Sequence, residues 1–95
     1  MSHITPRQHV RSMNDPDGAV LLDVRHGKYF SINAVGAEIW RQIETDADQP
    51  RDGQSRDSIV TALGSKFSVP VERLERDVDS FLAMLESRDL IDVRH

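Results

Sequence analysis

The stretch from Gly18 to Glu44 places two predicted β-strands directly before an amphipathic helix, and this order constrains the fold more than any other feature. Two runs of β-forming residues, Ala19–Val24 and Tyr29–Ile32, flank the polar turn Arg25–Lys28, as in a β-hairpin. Asn33 then occupies the position of a helix N-cap, and apolar residues follow at helical spacing. No catalytic group is evident in this stretch. The chain is therefore predicted to work by holding another molecule.

The loop of this hairpin determines which side chains lie opposite each other. A three-residue loop, with Gly27 supplying the positive φ of a bulge, would pair Leu22 with Phe30. A two-residue turn would instead place Asp23 beside Phe30. Because a slip of one residue moves every side chain to the other face, the hydrophobic match favours the first register. Phe30 is then expected to face the helices, and Tyr29 to emerge beside an exposed edge of the sheet.

The rest of the chain is predicted to form one more strand, two more helices and a short tail. These elements are a strand Gln8–Met13, a helix Arg56–Phe67 with Ser55 as its N-cap, a helix from Pro70 to about Ser87, and an extended tail Leu90–Val93. The polar segment Thr45–Gln54 is expected to be a loop. Three strands followed by three helices indicate an α+β fold, a winged helix-turn-helix-like domain with a three-stranded antiparallel sheet.

Length and composition exclude several classes of protein. The 95 residues are expected to form a single domain, 1–95, with a modest core. The chain contains no cysteine, which rules out disulfides and cysteine-ligated zinc. Its longest apolar run, Ala19–Leu22, is far too short to cross a bilayer, so no membrane partner is expected. The N-terminus lacks the basic and apolar regions of a secretory signal, which favours a cytoplasmic protein.

Neither the charges nor the polar side chains indicate nucleic-acid binding or a reaction. The net charge is -4 and neither half of the chain is basic, whereas binding to phosphates needs clustered Lys and Arg. The four histidines, His3, His9, His26 and His95, are not spaced like metal ligands. No serine lies in a G-x-S-x-G pattern. The chain is therefore predicted to have no catalytic residues, no metal site and no cofactor, and not to be an enzyme.

Gly36 lies inside the predicted first helix, where a glycine costs about 1 kcal/mol relative to alanine. It is expected to permit the close approach of another part of the backbone. This is a packing role rather than a ligand-binding one.

An unpaired edge strand favours aggregation unless the protein uses it. One use is the capture of an extended peptide as an added strand, for which Tyr29–Ile32 would be the template. The charged segment Glu72–Asp79 of the third helix has two interpretations. It is either a solvated face of i, i+4 ion pairs or a set of charges that flank a groove and fix the register of a bound peptide.

The residues of the hairpin and the helices resemble a known family. The similar segments are Gly18–Asp23, Gly27–Asn33, Gly36 with Ile39-Trp40, and, near the C-terminus, Leu74, Asp77-Val78, Phe81-Leu82, Leu85 and Leu90-Ile91. Over roughly residues 6–93 the chain is similar to the PqqD-like family, specifically the stand-alone leader-recognition proteins of lasso-peptide biosynthesis. Such domains are RiPP recognition elements, which bind peptides. Ile32 departs from the family pattern, where leucine is commoner.

The resemblance implies that the leader of a ribosomal precursor docks beside the third strand and against the third helix. For the lasso type, it also implies delivery of the precursor to a separate transglutaminase-like leader peptidase and a separate cyclase. Apolar anchors of the leader are expected to enter a groove floored by Tyr29, Ile32, Leu74 and Val78. The full predicted peptide-binding set is Tyr29, Phe30, Ser31, Ile32, Arg73, Leu74, Asp77, Val78 and Phe81.

Two other classes of function compete with this one. The first is a winged-helix transcription regulator or nucleic-acid binder, which the acidic third helix disfavours because its two arginines face four carboxylates within Glu72–Asp79. The second is a small component of a hydrolase, which lacks a nucleophile and base in the sequence.

Overall fold

Two antiparallel sheets and three helices make up the computed structural model, which describes residues 3–47 and 56–94. In chain order the elements are β1 His3–Pro6, β2 Val10–Asp15, β3 Gly18–Asp23, β4 Lys28–Asn33, α1 Ala34–Ala47, α2 Arg56–Gly64, α3 Val71–Ser87 and β5 Ile91–Arg94. The predicted α+β class, with a three-stranded antiparallel sheet and three helices, is confirmed, and "winged helix" describes it loosely. Among the residues described, no helix has the length and apolarity needed to cross a membrane.

The larger sheet has the strand order β2-β3-β4, so β4 is an edge strand, as predicted. The smaller sheet pairs β1 with β5, joining the two ends of the described chain. Only β5 was expected, as an extended tail. β1 was missed because its four residues include Pro6 and show no strand pattern of their own. Its main apolar contribution is Ile4, which pairs with Val93 and is buried.

The register of the β3–β4 hairpin differs from both registers predicted from the sequence. Leu21 pairs with Phe30 and Leu22 with Tyr29, so the connecting loop has four residues, Val24–Gly27. The predictions were wrong because they counted only hydrophobic matches. The strand contains one polar residue, Asp23, and the hydrogen bonds of its side chain decide the register.

Asp23 is 3% exposed, on the core side of β3. Its Oδ1 accepts hydrogen bonds from the backbone N–H groups of Arg25 and His26, both at 3.0 Å. Its own carbonyl accepts the N–H of Gly27 at 2.9 Å, and Gly27 has the positive φ of 66° expected for it. Because a buried carboxylate must be hydrogen-bonded, these bonds hold Asp23 inside and end the ladder one pair earlier than predicted.

This register selects the apolar side chains that form the core face of the sheet. Ala19 and Leu21 face the helices, whereas Leu22 is 37% exposed on the outer face. Phe30 is half-buried against the core and Tyr29 is 73% exposed, in agreement with the prediction for these two aromatic residues.

Helix α1 begins directly after β4. The Oδ1 of Asn33 accepts the N–H of Gly36 at 2.9 Å, which confirms the predicted N-cap. Ile39, Trp40 and Ile43 are at most 2% exposed and form the centre of the core. The helix extends to Ala47, three residues into the segment predicted as a loop. The end of that loop and the predicted N-cap at position 55 lie outside the described residues.

Helices α2 and α3 complete the core with Ile59, Leu63, Leu74, Val78 and Leu85. The predicted extent of α3 is confirmed, with Pro70 directly before it. Helix α2 ends at Gly64 instead of Phe67, and the N–H groups of Lys66 and Phe67 both donate to the carbonyl of Leu63 in the turn that follows. The segment 65–67 is therefore a closing turn.

Two ion-pair groups connect the helices. The Glu38 carboxylate on α1 accepts bonds from Arg41 Nε and Nη2 at 2.9 and 2.7 Å and pairs with Lys66 Nζ in the turn after α2. Hydrogen bonds from Arg41, and then from Lys66, outweigh desolvation and lower the pKa of Glu38 to about 2. Arg56 on α2 binds Asp79 on α3 through two bonds of 2.8 and 3.1 Å, which lower the pKa of Asp79.

The close approach of β3 and β4 at Gly18 leads to a first prediction. A Cβ on Gly18 would overlap the carbonyl oxygen of Ile32 in the neighbouring strand. Gly18→Ala should therefore lower the free energy of unfolding by about 2 kcal/mol or more, since backbone must move. Denaturant titration measures this. Gly64→Ala is the control, because its Cβ would meet no atom closer than 4.0 Å. Equal stabilities of the two variants would contradict the observed register.

The Glu38 cluster makes a second prediction, on pH. Its folded pKa of about 2 lies below the ordinary value of 4.5, so its stabilisation is present above about pH 4.5 and is lost as the pH falls towards 2. Glu38→Gln should lower the free energy of unfolding by about 1–2 kcal/mol at neutral pH and by clearly less at pH 3. The range is kept small because the paired cations are exposed to solvent, which weakens the ion pairs.

Unfolding titrations of wild type and variant at the two pH values check this. Glu44→Gln on the same helix is the matched control, because its amide oxygen can still accept the bond from the Ser12 hydroxyl. A cost for Glu38→Gln that does not change with pH would contradict the assignment.

A groove between the edge strand and the third helix

An open groove lies between α3 and the junction of β4 with α1. Its volume is about 510 Å³. Its lining combines apolar and polar side chains: Asn33, Val35, Gly36, Ile39, Arg73, Asp77, Ser80, Phe81 and Met84. The groove thus runs along the end of the edge strand.

The glycine inside α1 shapes this groove. A Cβ on Gly36 would lie 3.0 Å from Phe81 Cε1 and 3.3 Å from the Ile32 Cβ. The packing role expected for Gly36 is confirmed, although its close neighbours are the Phe81 ring and the Ile32 side chain and not another backbone. The absence of a side chain here leaves room for the edge of the Phe81 ring beside the start of α1.

Two unpaired charges lie on the α3 wall. Arg73 and Asp77 are exposed, and within the described part of the chain neither makes an ion pair. The predicted i, i+4 pairing of Arg73 with Asp77 does not form within 4.0 Å. Their charged groups are therefore available to a ligand, which favours the second interpretation of this helix face, charges that flank a groove.

Leu74 and Val78, expected at the groove floor, are 1% and 0% exposed. They belong to the core, and neither lines the groove. Tyr29 and Ile32 cannot share the floor either, because alternation along β4 places them on opposite faces of the sheet. The structure therefore corrects the predicted floor: Val35, Ile39, Phe81 and Met84 supply its apolar surface.

The nine predicted residues thus occupy four places. Arg73, Asp77 and Phe81 line the groove; Phe30 and Ile32 lie on the core face of β4; Tyr29 and Ser31 lie on the outer face of the strand; Leu74 and Val78 are core. Sequence reasoning missed Ser80 and Met84. A signal existed, since positions 73, 77, 80 and 84 share one face of a helix at i, i+4, i+7 and i+11.

The loop end of the hairpin carries a second charged cluster. The His26 Nδ1 lies 2.7 Å from Asp23 Oδ2, and the His9 Nε2 lies 3.9 Å from Asp23 Oδ1. Burial acts to raise the pKa of Asp23, but the hydrogen bonds from the His26 ring and backbone outweigh it and lower the pKa below its ordinary value. Asp23 is therefore a charged, satisfied carboxylate that holds the loop.

The chain is similar to proteins of one family. Residues 18–91 match the family described as coenzyme PQQ synthesis protein D (PqqD). The structure resembles that of TbiB1 in complex with the TbiA(beta) leader peptide, with 32% sequence identity, a TM-score of 0.78, and 93% of this chain and 94% of that chain covered.

A second solved structure, lasso peptide synthetase B1 complexed with the leader peptide, matches with a TM-score of 0.75 over 95% of this chain and 98% of that chain, at 24% identity, and supports the fold. No curated protein sequence matches this chain. Since the family match covers more than two thirds of the chain, the chain belongs to the PqqD family.

Proposed function

We propose that this chain binds the leader region of a ribosomally made precursor peptide and presents it to a separate transglutaminase-like leader peptidase during lasso-peptide maturation. The observation that carries the proposal is an exposed edge strand, β4, directly beside a groove with an apolar base and two unpaired charges. The leader peptide bound by TbiB1, which is 32% identical to this chain, supports the same class of ligand. The cyclase is a further candidate partner, and the site of action is the cytoplasm.

Strand addition explains how β4 and α3 act together. The main chain of the leader would pair antiparallel with β4, which supplies affinity independently of leader sequence. Alternate leader side chains would point towards α3, where Phe81 and Met84 offer apolar contact and Arg73 and Asp77 offer charge. These are docking roles, so we propose that the chain binds and does not itself catalyse a reaction.

A nucleic-acid partner has less support. The segment Glu72–Asp79 of α3 contains four carboxylates and two arginines, which would repel a phosphate backbone. Peptide and nucleic acid differ in salt dependence, so duplex DNA is a useful control ligand in the experiment below.

The direct test is an NMR titration with the leader of the precursor encoded beside this chain's own gene. We expect amide shifts along Tyr29–Ile32 and at Arg73, Asp77 and Phe81, because these line the proposed path of the leader. A scrambled leader should bind more weakly and shift these amides only at higher concentration, and duplex DNA should not bind near physiological salt. Shifts confined to Arg56–Gly64 would contradict the proposed site.

Gly36→Ala separates binding from folding. The added methyl group must displace the Phe81 ring, while the gain in helix propensity of up to about 1 kcal/mol opposes the cost of this movement. We expect stability within about 1 kcal/mol of wild type, with leader affinity reduced roughly tenfold or more because the groove narrows.

Calorimetric titration and thermal unfolding measure the two effects of Gly36→Ala. Ala37→Gly, at the neighbouring half-buried position, is the control: it should cost stability and leave leader binding unchanged. Normal leader affinity in a folded Gly36→Ala variant would place the peptide elsewhere.

A further inference from the structure

A second cavity, of about 320 Å³, lies at the other end of β4. Its lining is mainly charged and comes from the hairpin and the end of α3: Asp23, His26, Lys28, Phe30, Ser87, Arg88 and Asp89. This cavity continues the path of the first groove along both β4 and α3. Phe30 is two residues before Ile32 on β4, and Arg88 is one helical turn after Met84. A peptide added to β4 would pass both cavities in succession.

The two carboxylates of this cavity already have hydrogen-bond or ion-pair partners. The Asp23 carboxylate accepts two backbone N–H bonds and lies 2.7 Å from the His26 ring nitrogen. The Asp89 carboxylate lies 3.6 Å from the Arg7 Nε. Neither acid therefore needs a further cation from the cavity.

The lysine and the arginine of this cavity are not paired with an acid. Lys28 and Arg88 are exposed, and no ion pair of either is found in the described ranges. The Arg88 guanidinium lies over the Phe30 ring, 4.7 Å from its centroid, and this contact holds it beside the edge strand. A guanidinium stacked in this way keeps its N–H donors free for a carboxylate.

We propose that this cavity is a cationic subsite that binds an Asp or Glu side chain of the leader through Lys28 and Arg88. The inference rests on the proposed function, since it assumes that a peptide pairs with β4. It adds a requirement on the chemistry of the leader, an acidic residue at a defined distance from an apolar anchor.

The register of an added strand gives that distance. Lys28, Phe30 and Ile32 share one face of β4, and side chains opposite them in an added strand share the same face. In an antiparallel strand, the residue opposite Phe30 follows the one opposite Ile32 by two positions, and the residue opposite Lys28 follows it by four. The acidic residue should therefore lie two or four positions C-terminal to the anchor that enters the first groove.

A displayed library of randomised short peptides, selected on the wild-type protein, tests this. The selected peptides should share an apolar residue followed by Asp or Glu at one of these two spacings. Lys28→Gln/Arg88→Gln should still select the apolar residue but no longer the acid. Arg11→Gln/Arg76→Gln is the control with the same net charge and should select as wild type does, because neither arginine lines either cavity.

The peptide itself supplies a test that does not depend on the folding of a variant. Replacing the acid of the best selected peptide with its amide should weaken binding to wild type about three- to tenfold, and this difference should shrink as salt is raised. On Lys28→Gln/Arg88→Gln the difference should disappear, which a double-mutant cycle measures.

Two results would overturn the inference and are distinguishable. Selected peptides with apolar anchors but no acidic preference would remove the cationic subsite and leave the proposed function intact. Selection of no common pattern, or binding that Gly36→Ala does not weaken, would overturn the peptide site and the subsite together.

Discussion

The buried carboxylate of Asp23 determines the register on which the rest of the binding surface depends. It takes a core position in β3 that an apolar side chain would otherwise occupy, and its bonds to Arg25 and His26 set the length of the loop. Since side chains alternate strictly, a slip of one residue would turn Phe30 outward and Tyr29 inward. The inward orientation of Phe30, and with it the stacking of Arg88 on the Phe30 ring, follows from this one register.

The groove exists because close packing stops at one point between α1 and α3. Elsewhere along α3, Leu74, Val78 and Leu85 are at most 1% exposed. At Gly36 only the Phe81 ring of α3 reaches α1, and this ring stays half-buried. An open edge strand beside a half-filled groove is costly for a protein that merely folds. The arrangement is reasonable for a protein whose core is completed by a ligand.

The sequence predicted the elements well where the pattern is local. The Asn33 cap, the extent of α3 and the opposite orientations of Tyr29 and Phe30 follow from capping and periodicity, and all three are found. The hairpin register was wrong because it depends on the bonds of a polar residue, which hydrophobic matching ignores. β1 was missed because its partner, β5, comes from the other end of the chain.

The candidate site was likewise predicted only in part. Arg73, Asp77 and Phe81 were predicted and line the groove, whereas Leu74 and Val78 are core. The sequence could not separate these two groups, because the apolar stripe of an amphipathic helix does not show which of its residues lie at the border of the stripe.

Main-chain pairing to β4 would accept many sequences, so selectivity must come from the helix side. That side changes along its length, from the opposite charges of Arg73 and Asp77, through an apolar middle, to uncompensated positive charge at Arg88. A bound peptide can match this order of charged, apolar and cationic surfaces in only one direction and register, so the α3 wall can select among peptides that the edge strand alone would treat alike.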